Sequence, residues 1–236
     1  IQRARNAGVA PIMVVANIVE DEGFNSDVVR DVLTNAESQN NLINNILTVV
    51  RQKNYYGINI DFEYIYPEDR ESYNNFIRAL ATRAHAQGFI VLTSLAPKTS
   101  ADQQGLLYEA HDYPVHGSVV DRVILMTYEW GYTAGPPLPV APLNEVQRVL
   151  NYAITAIPRD KILMGMPNYG YDWTLPFVRG TTAETLSLME AQDRAYTVRA
   201  QIQYDPTAQS PFYNYYDTNG RQHIVWFETQ EASAQS

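Results

Sequence analysis

Three polar side chains occupy alternate positions of an otherwise apolar run, YYGINIDFEYIY at residues 55–66. Successive side chains of a β-strand face opposite sides, so a strand here places Asn59, Asp61 and Glu63 in one column. The two carboxylates then lie ~7 Å apart at their Cα atoms, close enough for one to stay ionised while the other is held protonated. Such a pair can accept and donate protons in general acid–base catalysis.

The positions of the two acids along the strand indicate different roles. Glu63, nearer the strand end, suits an acid that protonates a leaving oxygen, whereas Asp61, one layer deeper, suits an ion that stabilises charge; this is the pattern of paired carboxylates in glycoside hydrolysis. Two other interpretations stay open. A solvated edge strand also alternates polar with apolar residues, and the two acids could ligate a metal, although sites for hard cations usually gather more carboxylates.

Regular alternation of strands and helices provides the elements that must position this column. Apolar β-rich runs predict five strands, and apolar residues at helical spacing predict four helices. The strands are expected at residues 11–17, 55–66, 89–96, 119–128 and 161–169, and the helices at 26–33, 41–50, 67–87 and 144–157. Strands that alternate with helices indicate a parallel sheet. Near the end, Asp-Thr-Asn-Gly between residues 212–216 and 223–227 predicts a β-hairpin.

Catalytic groups of a (β/α)8 barrel lie at the carboxyl ends of its strands, so the last residues of each predicted strand are further candidates. They combine amides, hydroxyls and aromatic rings. These residues are Asn17, Ser94, Ala96, Tyr128, Glu129, Trp130, Asn168, Tyr169, Tyr171 and Trp173. The set lacks His and Cys, so we expect neither a metal site nor a Ser-His-Asp triad, and we expect structural or solvated roles for the four histidines.

Composition limits the class of protein. The chain has 236 residues with 17 Lys and Arg against 26 Asp and Glu, a net charge of −9 that argues against a nucleic-acid partner. It contains no cysteine, so it has no disulfide and no thiolate metal site. No apolar run approaches the ~20 residues of a membrane span, so we expect no membrane partner. The 17 Tyr and 3 Trp supply flat surfaces that can stack on sugar rings, although such residues also fill cores.

The strand with the polar column resembles a known signature. The stretch GINIDFEY resembles the DGxDxDxE signature of glycoside hydrolase family 18, the chitinase-like (β/α)8 enzymes, with Gly57, Asp61 and Glu63 matching. Tyr56 and Asn59 stand where the signature has two further acids. The resemblance therefore covers the acid pair but not the whole pattern.

Two later motifs resemble the same family. LMTYEW at residues 125–130 is similar to its MxYD segment on the sixth strand, with Glu129 in place of the usual Asp. GMPNYGYDW at residues 165–173 is similar to its GxPxYG segment on the seventh strand. The three motifs span most of the chain in the expected order, and they most resemble the bacterial spore cortex-lytic N-acetylglucosaminidases of this family.

The resemblance implies a retaining mechanism in which the substrate's own 2-acetamido oxygen is the nucleophile. Glu63 would protonate the glycosidic oxygen and later activate water, Asp61 would accept the acetamido N–H, and Tyr128 would donate to the acetamido oxygen. Asn59 removes one negative charge from the column, so Asp61 would be less coupled to a neighbouring acid. The expected substrate-binding residues are Asn59, Asn17, Glu129, Trp130, Tyr169, Tyr171 and Trp173.

The resemblance also implies a place for the chain within a (β/α)8 TIM barrel. Residues 11–17 would form the third strand and residues 161–169 the seventh, with the hairpin inside an insertion subdomain at about 174–236. The first, second and eighth strands would then lie outside this sequence. We therefore expect one glycosidase catalytic domain over residues 1–236, truncated at both ends.

The expected function is hydrolysis of N-acetylglucosamine-containing glycan, with spore cortex or cell-wall peptidoglycan ahead of chitin, by a monomer that needs no cofactor. The expected location is the spore or cell envelope, or outside the cell, although the sequence contains no targeting segment. A chitinase or chito-oligosaccharide hydrolase is one alternative. A catalytically silent glycan-binding protein is another, which the presence of Glu63 disfavours.

Overall fold

The computed structural model describes residues 1–228, which fold into two compact units. The first unit comprises Ile1–Met126 and Asn151–Met164, and the second comprises Thr127–Leu150 and the described residues 165–228. Each unit contains a five-stranded sheet. The assignment of residues 1–236 to one catalytic domain, with an insertion from about residue 174, stays a prediction.

The first unit is built on a parallel sheet. Its elements are α1 (Gln2–Asn6), β1 (Ile12–Ala16), β2 (Ile18–Val19), β3 (Gly23–Phe24), α2 (Ser26–Thr34), α3 (Ala36–Gln52), β4 (Gly57–Asp61), α4 (Arg70–His85), β5 (Ile90–Leu95), α5 (Tyr113–Val119), β6 (Arg122–Leu125) and β7 (Ile162–Met164). Helix α6 (Leu143–Ala156) lies between β6 and β7 in the sequence. Five strands pair in the order β1-β4-β5-β6-β7, all parallel, while β2 and β3 form a short antiparallel pair. The predicted parallel sheet is confirmed, and each of the five predicted strands contributes a strand to it, as consecutive repeats of a (β/α)8 fold require.

The apolar residues that alternate with the polar column lie in the core. Ile58 and Ile60 of β4 are fully buried, and Phe62, just beyond the strand, stacks on Phe76 of α4 with ring centroids 5.7 Å apart. Helix α4 offers a continuous apolar stripe to this face because its buried residues recur at helical spacing. The alternation in the sequence therefore correctly predicts which residues of β4 face the helix layer, and the polar side chains lie on the opposite face.

The second unit is built on an antiparallel sheet. Its further elements are β8 (Tyr169–Leu175), β9 (Glu184–Ser187), α7 (Leu188–Thr197), β10 (Gln203–Asp205), β11 (Ser210–Tyr216) and β12 (Gln222–Phe227). The strands pair in the order β10-β11-β12-β8-β9. The hairpin predicted near the end of the chain is confirmed as β11 and β12. Within residues 1–228, no helix has the length and apolar character needed to cross a membrane.

The fifth predicted strand, residues 161–169, is wrong at its carboxyl end. Strand β7 ends at Met164, and Tyr169 begins β8 of the antiparallel sheet. Pro167 stands between the two strands, and proline has no backbone N–H to donate to a ladder of hydrogen bonds. One apolar run in the sequence therefore contains parts of two strands that belong to different sheets.

Candidate active site

The backbone of Glu63 is held by a side chain from the neighbouring strand. Strand β4 is shorter than predicted and ends at Asp61, so Glu63 lies two residues beyond it. Asn17, the residue after β1, accepts a hydrogen bond from the Glu63 N–H at 2.9 Å and donates one to the Glu63 carbonyl at 2.9 Å. Asn17 also donates to the Asn25 carbonyl at 3.0 Å and is 4% exposed. Asn17 therefore positions Glu63 through both of its backbone polar groups.

Asn59 and Asp61 meet the same serine on the next strand. The Asn59 side-chain amide donates to the Ser94 hydroxyl at 2.9 Å, and Ser94 in turn hydrogen-bonds the Asp61 carboxylate. Both side chains therefore lie on one face of β4, as the alternation predicted. Burial raises the pKa of Asp61, and the Ser94 hydrogen bond opposes that rise.

Asp61 retains a buried oxygen that can accept a hydrogen bond. Its Oδ1 atom is buried and has no hydrogen-bond partner within residues 1–228, and the same holds for Asn59 Oδ1 and for the Tyr73 hydroxyl. Buried polar atoms in folded proteins nearly always have partners. Asp61 therefore keeps one oxygen whose capacity to accept a hydrogen bond is not used by the described residues.

Tyr73 of α4 is a neighbour of the acid pair that the sequence did not indicate as part of a site. It is fully buried, and burial, followed by the negative charge of Asp61, raises the pKa of its hydroxyl. The hydroxyl therefore stays protonated and stays a donor. In the sequence, Tyr73 is one member of the apolar stripe of a helix, and that position alone gave no sign of chemistry.

Three residues of the second unit that were predicted to bind substrate form hydrogen bonds with one another. Tyr169 and Tyr171 both donate from their hydroxyls to the same oxygen of Glu129, Oε1, at 2.6 and 2.7 Å. Glu129 has a φ of +69°, in the left-handed region that residues other than glycine adopt uncommonly. Burial first, and then the hydrogen bond to Glu129, raises the pKa of both tyrosines. Glu129 is therefore held in a defined position by two neutral phenols.

The remaining aromatic candidates of the second unit differ in exposure. Trp173 is 2% exposed, and its indole N–H donates to the Gly135 carbonyl at 2.9 Å. A ring enclosed in this way packs the core of the unit. Tyr128 packs against the same hydrophobic cluster with part of its surface exposed, and Trp130 is also half-buried. The catalytic role expected for Tyr128 and the sugar contact expected for Trp130 stay predictions.

Residues 1–228 contain no group of three or more His, Cys, Asp or Glu side chains placed to hold a metal ion. The chemistry that the described residues offer is that of carboxylates, amides and phenols.

The sequence as a whole matches a known family. Residues 21–236 match the family described as Glycosyl hydrolases family 18. The chain belongs to this family. The matching segment includes the acid pair and the two later motifs at residues 125–130 and 165–173. The resemblance carried by three short motifs therefore extends over most of the chain.

Relatives in the family include proteins of Bacillus species. The chain is 47% identical over 218 residues to the cortical fragment-lytic enzyme of Bacillus subtilis, an alignment that covers 92% of this chain and 50% of the relative. The solved structure of YdhD from Bacillus subtilis has a TM-score of 0.95 and 36% identity, covering 100% of this chain and 77% of that one. The spore cortex-lytic enzyme SleL of Bacillus cereus has a TM-score of 0.93 and 41% identity, covering 98% and 53%. The chain spans about half the length of the curated relatives it matches.

Proposed function

We propose that this chain carries the catalytic acid pair of a retaining glycoside hydrolase that cleaves N-acetylglucosamine-containing glycan. The supporting observation is the geometry at the end of β4. Glu63 has both backbone polar groups fixed by Asn17. Asp61 keeps a buried acceptor oxygen with no partner in residues 1–228. A fixed acid beside a buried acceptor suits a sugar that has an N–H close to its scissile bond.

The proposed reaction uses the substrate's acetamido group. Glu63 protonates the glycosidic oxygen as the bond to the anomeric carbon breaks, and the acetamido oxygen attacks that carbon from the other side. Asp61 accepts a hydrogen bond from the acetamido N–H and stabilises the positive charge of the cyclic intermediate. Glu63, now ionised, removes a proton from the water that opens the intermediate, which returns the enzyme to its starting state.

The substrate class is inferred from the family and from the names of its relatives. The first relative is named for lysis of cortical fragments, and SleL is named for lysis of spore cortex. We infer that peptidoglycan of the spore cortex or cell wall is the preferred glycan, and that the protein acts in the spore or cell envelope. The net charge of −9 gives no attraction to the phosphate backbone of a nucleic acid.

Turnover of purified peptidoglycan fragments by the full chain and by its Glu63→Gln variant tests this proposal. The amide keeps the size of the side chain but can neither donate the catalytic proton nor remove one from water. We expect the variant to lose at least 1,000-fold in kcat, within the range of general acid–base effects at a group that acts twice. Glu20→Gln, at an exposed glutamate, is the matched control and should keep full activity.

Parallel assays separate the alternatives. Greater turnover of chito-oligosaccharides than of peptidoglycan fragments identifies a chitinase. Binding of glycan by the wild type without hydrolysis above that of Glu63→Gln identifies a silent glycan-binding protein and refutes the proposal. Loss of activity on treatment with a chelator supports the metal-ligand interpretation of Asp61 and Glu63 instead.

A further inference from the structure

A buried histidine bridges the ends of β4 and β5. His111, in the segment between β5 and α5, is 1% exposed. Its Nδ1 accepts a hydrogen bond from the Ala96 N–H at 2.7 Å, and its Nε2 lies 2.9 Å from the Phe62 carbonyl oxygen. A backbone N–H can only donate and a carbonyl can only accept, so these partners require the tautomer with the proton on Nε2.

The bridge lies where the main-chain ladder stops. Pairing between β4 and β5 ends at Ile60 opposite Thr93, and the same register places Phe62 opposite Leu95, next to Ala96. Beyond that point the two segments no longer hydrogen-bond each other as strands. The imidazole ring of His111 hydrogen-bonds one backbone group of each segment, and buried backbone groups need such partners.

The carbonyl that His111 holds belongs to the same peptide as the Glu63 N–H. The peptide between Phe62 and Glu63 is planar. His111 donates to its oxygen, and Asn17 accepts from its N–H. Two side chains, Asn17 just after β1 and His111 in the segment that follows β5, therefore fix the plane of the peptide that leads into Glu63. They also fix the direction in which the Glu63 side chain leaves the backbone.

His111 is itself held rigidly. Its carbonyl accepts from Lys98 Nζ at 3.1 Å. The next residue, Asp112, accepts from the Arg70 guanidinium at 2.7 and 3.0 Å and from Asn74 at 3.2 Å, all on α4. The segment that carries the histidine is therefore held in place by hydrogen bonds to Lys98 and to α4.

The ring is neutral at physiological pH. Burial, helped by the positive charge of Lys98 and opposed by the hydrogen bond to Phe62, lowers the pKa of His111 to about 4. A protonated Nδ1 could not accept from Ala96, so the bridge depends on the neutral form, which predominates above this pH.

We propose that His111 is a positioning residue for Glu63, which acts by clamping the Phe62–Glu63 peptide against Asn17. The inference rests on the proposed function of Glu63 as acid and base. It assigns His111 no contact with substrate. The histidine instead keeps the carboxyl in line with the bond that is cleaved, because small displacements of a reacting group cost large factors in rate.

Two substitutions of His111 separate its hydrogen bonds. In His111→Gln, the side-chain amide can reach the Phe62 carbonyl. In His111→Asn, the shorter side chain can accept only from Ala96 and leaves Phe62 without this donor. His116 supplies the matched control: it is fully buried and meets Thr93 Oγ1 at 3.2 Å. Its substitution, His116→Asn, removes a buried histidine of the same unit without touching the Phe62–Glu63 peptide.

We expect His111→Asn to lower kcat on peptidoglycan fragments roughly 10- to 100-fold with KM changed less than about threefold. His111→Gln should recover most of kcat, and His116→Asn should lose stability but keep kcat in its folded fraction. Equal kcat in His111→Asn and wild type, or an equal loss of kcat in His116→Asn, overturns the proposal.

A second measurement needs no turnover, so it distinguishes failure of this inference from failure of the proposed function. Amide hydrogen exchange at Glu63, followed by NMR, should be at least tenfold faster in His111→Asn than in wild type, whereas His111→Gln and His116→Asn should stay close to wild type. Unchanged exchange at Glu63 in His111→Asn overturns the clamp even if the protein hydrolyses no glycan. If wild type hydrolyses nothing but the exchange rates differ as expected, the clamp stands and the catalytic proposal fails.

Discussion

Substitution of Asn17 by alanine tests how far the fixed backbone of Glu63 matters for activity. The variant loses three hydrogen bonds, two to Glu63 and one to the Asn25 carbonyl. Each buried bond of this kind contributes about 1 kcal/mol net, so we expect a loss of about 3 kcal/mol in the free energy of unfolding. The two bonds to Glu63 account for about 2 kcal/mol, which corresponds to about a 30-fold lower kcat if they orient the acid in the transition state.

The assay combines urea unfolding with kcat and KM on peptidoglycan fragments under conditions where the variant is folded. Asn45→Ala, at an exposed asparagine of α3, is the matched control and should leave the rate constants and stability nearly unchanged. A folded Asn17→Ala variant with wild-type kcat would show that the contacts serve stability alone, and would refute the link between this backbone and catalysis.

Three further predictions concern charge and pH. Asn59→Asp adds a carboxylate beside Asp61, which raises the pKa of Asp61, so the acid limb of the kcat/KM profile should move to higher pH; an unmoved limb contradicts the coupling. Burial lowers the pKa of His111 to about 4 and that of His116 to about 3. The unfolded chain therefore binds protons first, and stability to urea should fall by several kcal/mol between pH 6.5 and about 3; a flat profile contradicts this. Burial raises the pKa of Glu228 to about 7, so its ionised form destabilises the fold as pH rises from 4.5 through 7. Glu228→Gln should therefore unfold at higher urea concentration than wild type above pH 7, with little difference near pH 4, whereas equal midpoints at both pH values contradict the assignment.

The fold of the first unit could be predicted in outline because its signals are local. Alternation in β4 and the apolar stripe of α4 are periodic patterns that the sequence carries directly. The strand lengths could not be predicted equally well. Nothing in residues 62–66 marks the point where pairing with β1 and β5 ends, since that depends on where the neighbouring strands diverge.

The second unit was harder to predict. Only its hairpin has a local turn signal, and β8 begins inside a run that reads as one strand with β7. The other strands of its antiparallel sheet are joined by longer connections, from which neither the pairing nor the register of the strands could be predicted.

The acid pair could be predicted from residue types, and Asn17 was a candidate as a strand-end residue, but the contacts of Asn17 and His111 with the backbone around Glu63 could not be predicted. Asn17 and His111 act on the backbone of a segment 46 and 49 positions away, and a contact with backbone leaves no trace in the identity of the residue it holds. Trp173 shows the converse, because an aromatic residue at a strand end suggests sugar stacking until its burial is known.

The most direct test of the central claim is the anomeric configuration of the product. Proton NMR during the first turnovers should show the new reducing end in the same configuration as the cleaved bond, and a substrate whose 2-acetamido group is replaced by hydroxyl should not be hydrolysed. Inverted product, or equal hydrolysis of the substrate without the acetamido group, contradicts a mechanism in which Asp61 and Glu63 act through the substrate's own acetamido oxygen.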